Sequence, residues 1–165
     1  MDNRIYYPQI RRAGNADSQP VIQLIDSVLA EWNDAVCLEG SEKDLLDLDG
    51  SYWSQQGAFV VLETEQKIVG SHGILPIDLD AGLCTFKRLY LHPDYRGTSA
   101  GTELMQWNID WVRQNGFQKV EFWSDTRFHR AHRFFEKMGF QKSGEKREMH
   151  DSHETYWEYY FSMPL

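Results

Sequence analysis

The sequence has few of the features that mark secreted, membrane-spanning or nucleic-acid-binding proteins. Its only cysteines are Cys37 and Cys84, too few for a disulfide framework, so we expect reduced thiols. The first residues contain no apolar signal core, and no apolar run approaches membrane-spanning length. Basic residues are outnumbered, and the net charge of −8 would repel nucleic-acid phosphates. We therefore predict a cytoplasmic protein that binds neither nucleic acid nor membranes.

What the chain does contain is enough apolar material for one domain. Hydrophobic residues make up 41% and aromatic residues 14% of the 165 residues, which suffices for a sizeable core. There is no internal repeat, low-complexity segment or long linker, so we predict a single domain over residues 1–165. The acidic balance is compatible with a cationic substrate and equally with simple solubility.

The hydrophobic pattern predicts seven strands and four helices. In the first helix, Val21, Ile25, Val28, Leu29 and Trp32 recur at helical spacing and should form a buried face. Residues 64–66 should close a hairpin between the second and third strands. We predict strands over residues 7–12, 58–63, 67–75, 83–91, 119–123, 147–150 and 155–161, and helices from Asp17, from Ser41, over 102–115 and over 126–138. This order indicates an α/β sandwich around one mixed sheet.

A turn over residues 95–102 lies directly after a predicted strand and before a predicted helix. The start of a helix carries unpaired backbone N–H groups and a positive dipole end, and small residues let a phosphate approach them. The turn therefore predicts a phosphate or pyrophosphate site, with an ordinary helix start as the alternative. It is not a P-loop, because no Gly-Lys-Ser/Thr follows, and it lacks the Gly-x-Gly-x-x-Gly dinucleotide pattern.

Two segments resemble the conserved motifs of the GNAT acyltransferase superfamily. Residues 87–101, Lys-Arg-Leu-Tyr-Leu-His-Pro-Asp-Tyr-Arg-Gly-Thr-Ser-Ala-Gly, are similar to its central motif of a strand, then Arg/Gln-x-x-Gly-x-Gly/Ala, then a helix. Residues 130–140 are similar to the family's helix that ends in a Tyr-Glu-Lys-Leu-Gly-Phe type run. The resemblance implies a GNAT-like α/β sandwich whose central mixed sheet splays between its fourth and fifth strands.

The resemblance also implies acetyl-CoA as co-substrate and direct acetyl transfer to an amine. Pantetheine would pair with the fourth strand in the gap, and the pyrophosphate would lie on the turn. The implied cofactor-binding residues are Leu89, Tyr90, Leu91, Arg96, Gly97, Thr98, Ser99, Ala100, Gly101, Thr102, Phe128 and Phe135. We expect a small-molecule primary amine as acceptor, entering between the first two helices and the last hairpin. A non-catalytic acyl-CoA-binding regulatory module is the alternative, and a homodimer is left open.

Three positions depart from the family pattern. Ser99 stands where the family usually has its middle glycine, and its small hydroxyl side chain should still admit a phosphate. Phe128 replaces an asparagine that helps to hold pantetheine. Phe135 replaces the tyrosine that protonates the departing thiolate, and phenylalanine cannot donate a proton. Tyr90 or a water is an alternative donor, and Phe135 itself is expected in the core.

The base that deprotonates the acceptor amine has to come from elsewhere than the fourth strand, where Thr85, Phe86 and Lys87 replace the family's usual glutamate. We predict Asp125, at the end of the fifth strand, as base or as the residue that orients a water, with a helix N-cap as its alternative role. Glu121, earlier on the same strand, is the rival base.

For most of the remaining polar residues we expect structural or solvent-exposed roles. The acidic residues from Glu39 to Asp49 should form a solvated face, with attraction of a cationic acceptor as the alternative. The basic stripe of Arg130, Arg133 and Lys137 should be solvated or should bind an outer phosphate of the cofactor. His72 should be a satisfied strand residue. Histidines 129, 132, 150 and 153 lack metal-ligand spacing and should be surface or substrate-facing, so we predict no metal.

Overall fold

The computed structural model describes residues 7–65 and 67–165. Short 3₁₀ turns lie at residues 15–17, 43–46, 53–55 and 93–95. The strands are β1 (Gln9–Arg12), β2 (Ala58–Thr64), β3 (Lys67–Asp78), β4 (Leu83–Leu91), β5 (Lys119–Asp125), β6 (Gln141–Met149) and β7 (Tyr156–Pro164). The helices are α1 (Ser18–Ala30), α2 (Leu48–Ser51), α3 (Ser99–Gln114) and α4 (His129–Lys137).

All seven strands form one sheet in the order β1-β2-β3-β4-β5-β7-β6. Neighbouring strands are antiparallel except β4 and β5, which are parallel. The connection between these two contains α3, as a parallel pair requires a crossover of this kind. The predicted mixed α/β sandwich is therefore confirmed. Among the described residues, no helix is long and apolar enough to cross a membrane.

Helices cover both faces of the sheet because the strands present apolar side chains on both. Along β2, Phe59 and Val61 pack in a cluster with α1, whereas Val60 and Leu62 pack in another with α3. A third cluster joins β4 and β5 to α3 and α4 and contains most of the phenylalanines. Successive strand residues point to opposite faces, so a two-sided core needs an apolar run such as this one.

The central sheet opens between β4 and β5. Their parallel register joins Leu83 to Lys119 and Cys84 to Val120, both at the start of the strands. Beyond these pairs the register between β4 and β5 ends, whereas β5 is paired with β7 along its whole length, from Lys119 to Asp125. The splayed sheet implied by the resemblance is thus present, and the later part of β4 turns its backbone towards a gap.

A β-bulge at Arg88 shapes the wall of this gap. The register on β3 passes from Gly73–Lys87 to Ser71–Tyr90, and Arg88 has a positive φ of 58°. The Ser71 hydroxyl donates to the Arg88 carbonyl at 2.7 Å. The Arg88 guanidinium donates to both carboxylate oxygens of Asp44, at 3.0 and 2.6 Å, and to the Ser41 carbonyl. A left-handed conformation costs a non-glycine residue about 1–3 kcal/mol, so these contacts have to hold it.

Several helix boundaries differ from the prediction for local reasons. Helix α3 begins at Ser99 and not at Thr102, because the Thr98 hydroxyl caps it by accepting from the Ala100 N–H. Helix α4 begins at His129 and not at Thr126, because Asp125 first closes a turn with the Arg127 N–H. Trp32 is 41% exposed, since the helix already ends at Ala30.

The predicted second helix and the solvated acidic face also need correction. The residues after Ser41 form a 3₁₀ turn over Lys43–Leu46 whose Glu42 makes no side-chain cap. Glu42 is 7% exposed, and Asp44 is held by Arg88. Part of the acidic segment is therefore internal structure, while Glu39, Asp47 and Asp49 are exposed. The predicted hairpin joins β2 and β3 as expected, although Gln66 in its turn lies outside the described residues.

Candidate active site

A cavity of about 450 Å³ fills the gap between β4 and β5. Its walls are residues 85–90 of β4, residues 121–125 of β5, and Phe128, Ala131 and Phe135. On the α1 side the cavity reaches Asp34 and Glu42, and on the side of the last hairpin it reaches Arg147, Tyr156 and Glu158. Leu89, Tyr90, Glu121, Asp125, Phe128 and Phe135, all singled out in the sequence, therefore share one cavity.

The predicted phosphate turn lies next to the end of β4 and leads into α3. Gly97 has a φ of +74°, which favours glycine, and a Cβ built there would lie 3.4 Å from a nitrogen of the Arg130 guanidinium. A Cβ on Gly101 would lie 3.4 Å from the Leu91 side chain. The helix start, the end of β4 and one member of the basic stripe therefore meet at one place.

Not every N–H of the turn remains available for a phosphate. The Arg96 N–H donates to the Pro93 carbonyl and the Thr98 N–H to the Tyr95 carbonyl, while the Ala100 N–H donates to the Thr98 hydroxyl. Helix geometry gives no intrahelical acceptor to the N–H groups of the first turn, so Ser99 and Gly101 are the best-placed donors. They precede Thr102 in the first turn of α3.

The Arg96 side chain points away from the turn towards α1. Its guanidinium forms a two-pronged ion pair with Glu31, at 2.9 and 2.6 Å, and its Nε donates to the Leu91 carbonyl at 3.2 Å. This arrangement joins the end of α1 to the end of β4. Arg96 is therefore placed to fix the turn through its side chain.

The two phenylalanines that replace polar family residues lie on different parts of the cavity wall. Phe135 is 6% exposed and packs edge-on against Phe122 at 4.9 Å, which confirms the expected core role. Phe128 comes just before α4 and contacts Trp32 at 5.6 Å. Phe128 therefore precedes α4, whereas Phe135 lies within the helix.

Asp125 lies at the end of β5 with its carboxylate engaged by Arg127. Its Oδ1 accepts from the Arg127 N–H at 2.9 Å, and both oxygens contact the guanidinium at 2.7–3.2 Å. Arg127 also donates to Asp34 at 2.9 Å. Asp125 caps the turn before α4 and not the helix itself, whose N-cap residue is Phe128. To accept a proton, Asp125 would have to loosen its contact with Arg127.

Glu121, the rival base, accepts a hydrogen bond of 2.5 Å from the Tyr160 hydroxyl. Its side chain is 25% exposed and lies 4.0 Å from the Lys119 ammonium. Glu121 and Tyr160 lie on the paired strands β5 and β7, and the Glu121 side chain lines the cavity.

The cavity also contains ionisable residues to which the sequence analysis gave no catalytic role. Burial raises the pKa of Glu158 although Arg147 opposes it, and burial lowers the pKa of the Lys87 ammonium. Burial also raises the pKa of Tyr156, whose hydroxyl donates to Asp151 at 3.0 Å. The alternation of Tyr156, Glu158 and Tyr160 along β7 was the signal available in the sequence.

Two histidines are buried, and for His132 this is contrary to expectation. His72, predicted as a satisfied strand residue, is fully buried against Phe86 at a ring distance of 4.6 Å, and neither ring nitrogen has a hydrogen-bond partner among the residues that the structure describes. Burial lowers its pKa to about 3. His132 is 4% exposed and shares a hydrogen bond of 3.1 Å with Ser124. In residues 7–65 and 67–165 no three His, Cys, Asp or Glu side chains are grouped to hold a metal.

This geometry fits the comparison with known families. Residues 25–140 match the model of the acetyltransferase (GNAT) family, well over half of the chain. The chain belongs to the GNAT family. It is 38% identical over 103 residues to the probable N-acetyltransferase camello of Xenopus tropicalis, covering 61% of this chain and 47% of that one. It is 29% identical over 106 residues to human N-acetyltransferase 8, covering 62% of this chain and 47% of the relative.

The chain therefore spans about half the length of these two relatives. The match to the uncharacterised N-acetyltransferase YjgM of Escherichia coli extends further, with 27% identity over 138 residues, 81% of this chain and 82% of the relative. Among solved structures, a GNAT-family acetyltransferase from Staphylococcus aureus superposes with a TM-score of 0.82 at 19% identity, covering 96% of this chain and 99% of that chain. At this identity the superposition shows a shared fold.

Proposed function

We propose that the protein is an acetyl-CoA-dependent N-acetyltransferase that acts in the cytoplasm as one domain over residues 1–165. The observation that carries the proposal is the opening between β4 and β5, which ends beside the helix start at Ser99. An extended pantetheine chain can take the place of a missing neighbouring strand, and the helix start can take a pyrophosphate. The family match supports the same reading.

The residues of the cavity fit acetyl-CoA without a metal. The backbone of Leu89, Tyr90 and Leu91 would hold pantetheine, and the N–H groups of Ser99 and Gly101 would hold the pyrophosphate. Arg130, beside Gly97, is placed for an outer phosphate. Two similar folds support this assignment, because the structures of a Salmonella typhimurium YncA and of a Sinorhizobium meliloti phosphinothricin acetyltransferase contain acetyl-CoA.

The chemistry would be direct transfer in a ternary complex. When bound, acetyl-CoA supplies the activated acetyl group. Holding both reactants in one cavity removes much of the entropic barrier, so no covalent enzyme intermediate is needed. A backbone N–H near Leu91 would stabilise the oxyanion. Burial raises the pKa of Tyr90 to about 12, which keeps its hydroxyl protonated near neutral pH but makes it a weaker acid than an exposed tyrosine, so Tyr90 or a water would supply the proton that Phe135 cannot.

The acceptor would be a small-molecule primary amine with a further positive charge. It would enter between α1 and the β6–β7 hairpin, where Glu42, Asp151 and Glu158 line the cavity. Asp44 is neutralised by Arg88, and Glu158 is paired with Arg147, so the attraction rests mainly on Glu42 and Asp151 and not on the whole acidic segment.

The second candidate is a regulatory module that binds acyl-CoA without turning it over. Phe135 favours it, because this side chain is packed in the core and offers no proton to the thiolate. A thiol has a pKa of about 8.5, so the thiolate is a fair leaving group without that donor. This consideration favours the enzyme.

A thiol-release assay with acetyl-CoA separates the two candidates. The panel of acceptors contains simple amines, amino acids, polyamines, aminoglycosides and peptides. An enzyme releases free coenzyme A thiol faster with at least one of them. Calorimetric binding of acetyl-CoA with no thiol release across the panel would instead favour the regulatory module, and no binding at all would contradict both.

A further inference from the structure

Glu158 lies in the middle of the cavity wall that faces the acceptor side. In the register of the sheet it stands opposite Asp125 on β5 and opposite Arg147 on β6. Its side chain is 13% exposed and lines the cavity together with Tyr156 and Lys87. It therefore reaches the opening from a central strand, whose backbone is fixed by hydrogen bonding on both sides.

The carboxylates that line this cavity differ in how fully their oxygens are occupied. Asp125 has both oxygens on Arg127. The Oε2 of Glu42 accepts from the Cys37 N–H and the Ser41 hydroxyl, and the Oε2 of Glu121 accepts from Tyr160. Among the described residues, the Oε1 of each of these two glutamates accepts no hydrogen bond from the protein. These contacts stabilise the ionised form and have to be given up or shared when a proton arrives.

Glu158 is also held by one oxygen, and it differs from Glu121 in its place opposite Asp125, at the open end of the gap between β4 and β5. Arg147 approaches its Oε1 with two nitrogens, at 2.9 and 2.7 Å. In the part of the chain that the structure describes, no protein hydrogen bond reaches the other oxygen, Oε2. Arg147 is in turn stacked over the Trp123 ring at 4.4 Å, so the carboxylate has a fixed orientation. This is the arrangement of an oriented base with one free lone-pair side.

The charges around Glu158 come from every strand that packs against it. Burial raises its pKa above the ordinary glutamate value, Arg147 lowers it, and Asp151 and Asp125 raise it further, with a net increase. Lys87 on β4 is a nearby cation, and Tyr156 on β7 feels the charge of Glu158. A carboxylate whose pKa is shifted in this direction is a stronger base than an exposed one.

We propose that Glu158 is the general base of the acetyl transfer, an assignment that rests on the proposed function. The acceptor nitrogen attacks the thioester carbonyl carbon, and a C–N bond forms. As the nitrogen becomes cationic and acidic, Oε2 of Glu158 takes its proton. The C–S bond then breaks with its electron pair on sulfur, and the thiolate takes up a proton to leave as coenzyme A thiol. Glu158 returns its proton to the solvent.

The test compares Glu158→Gln with wild type in the thiol-release assay, using acetyl-CoA and the acceptor of the panel that gives the fastest release. Loss of a general base reduces kcat by roughly 10²–10⁴-fold. We expect a loss in this range, no acidic limb in the pH profile of kcat, and an unchanged Kd for acetyl-CoA. Glu148→Gln is the matched control, because Glu148 is an exposed glutamate on the same hairpin, and it should retain wild-type kcat.

A second variant separates catalysis from a structural role. Arg147→Met removes the cation that lowers the pKa of Glu158, so the acidic limb of the pH profile should move to higher pH while the plateau persists. Carbon-13 NMR of labelled glutamate carboxyls should show one resonance that is absent in Glu158→Gln and that titrates above the ordinary glutamate value, without need of turnover.

The outcomes distinguish failure of the Glu158 assignment from failure of the proposed acetyltransferase function. Wild-type turnover together with near-normal kcat in Glu158→Gln would refute the base and leave the acetyltransferase intact. An ordinary glutamate pKa for the Glu158 resonance, or an acidic limb that stays in place in Arg147→Met, would also refute it. A wild-type protein that binds acetyl-CoA but transfers acetyl to no amine of the panel would overturn the proposed function and the base with it.

Discussion

The ion pair between Asp44 and Arg88 should be a main support of the bulge that shapes the cavity. Their side chains are 14% and 11% exposed, and the shortest contact is 2.6 Å. Asp44→Asn would leave a buried guanidinium without its carboxylate, which costs about 3–5 kcal/mol in comparable cases. The Ser41 carbonyl and Glu42, at 3.9 Å, remain near Arg88. We therefore expect the lower end, a loss of about 3 kcal/mol in the free energy of unfolding.

This loss corresponds to a decrease in Tm of about 6–12 °C for a chain of this size. Urea unfolding followed by circular dichroism would measure the loss of unfolding free energy. Asp80→Asn is the control, because Asp80 is exposed. The double variant Asp44→Leu with Arg88→Met should lose less than the sum of its single variants, since it leaves no buried charge behind.

The pH dependence of the same pair provides a second check. Burial raises the pKa of Asp44, but the hydrogen bonds from Arg88 and Tyr52 together with the positive charges of Arg88 and Lys87 outweigh burial, and the net pKa is lowered. The pair therefore contributes its stability above the unfolded aspartate pKa of about 3.9 and loses it as the pH falls through the lower folded value. The difference between wild type and Asp44→Asn should shrink at such low pH. A loss below about 1 kcal/mol at pH 7 would refute the argument, because it would mean that water already solvates Arg88.

Three further predictions follow from the site. Gly101→Val should weaken acetyl-CoA binding at least tenfold in calorimetry, because its branched side chain would occupy the approach to the helix start; unchanged affinity would place the pyrophosphate elsewhere. Asp125→Asn tests the base predicted from the sequence against Glu158: because Arg127 holds both Asp125 oxygens, we expect a much smaller loss of kcat than in Glu158→Gln, whereas a loss of about a hundredfold with little change in Tm would make Asp125 the base. His72→Leu should remove a pH dependence of stability, because unfolded histidine binds a proton below about pH 6.5 whereas folded His72, with a pKa of about 3, does not. As the pH falls from 6 to 4, wild type should therefore lose up to about 1.4 kcal/mol of unfolding free energy per pH unit relative to the variant, as measured by urea unfolding.

The local order of strands and helices could be predicted from the sequence because it depends on periodicity and on turn residues. β4 was predicted over residues 83–91, which are the bounds observed. The turn before α3 was recognised from its small residues and from the strand before it. The two motifs were enough to predict the splayed sheet, since a splay of this kind accompanies that arrangement in the family.

Only the tertiary structure decided which charged groups are internal and which face the cavity. Asp44 looked like one member of a solvated acidic run, but the chain folds it against Arg88, which lies 44 residues later. Glu158 looked like one polar residue in an aromatic strand, and it became distinctive only through its neighbours on β5 and β6. Ionisation depends on burial and on charges brought together from distant parts of the chain, and sequence spacing does not contain these distances.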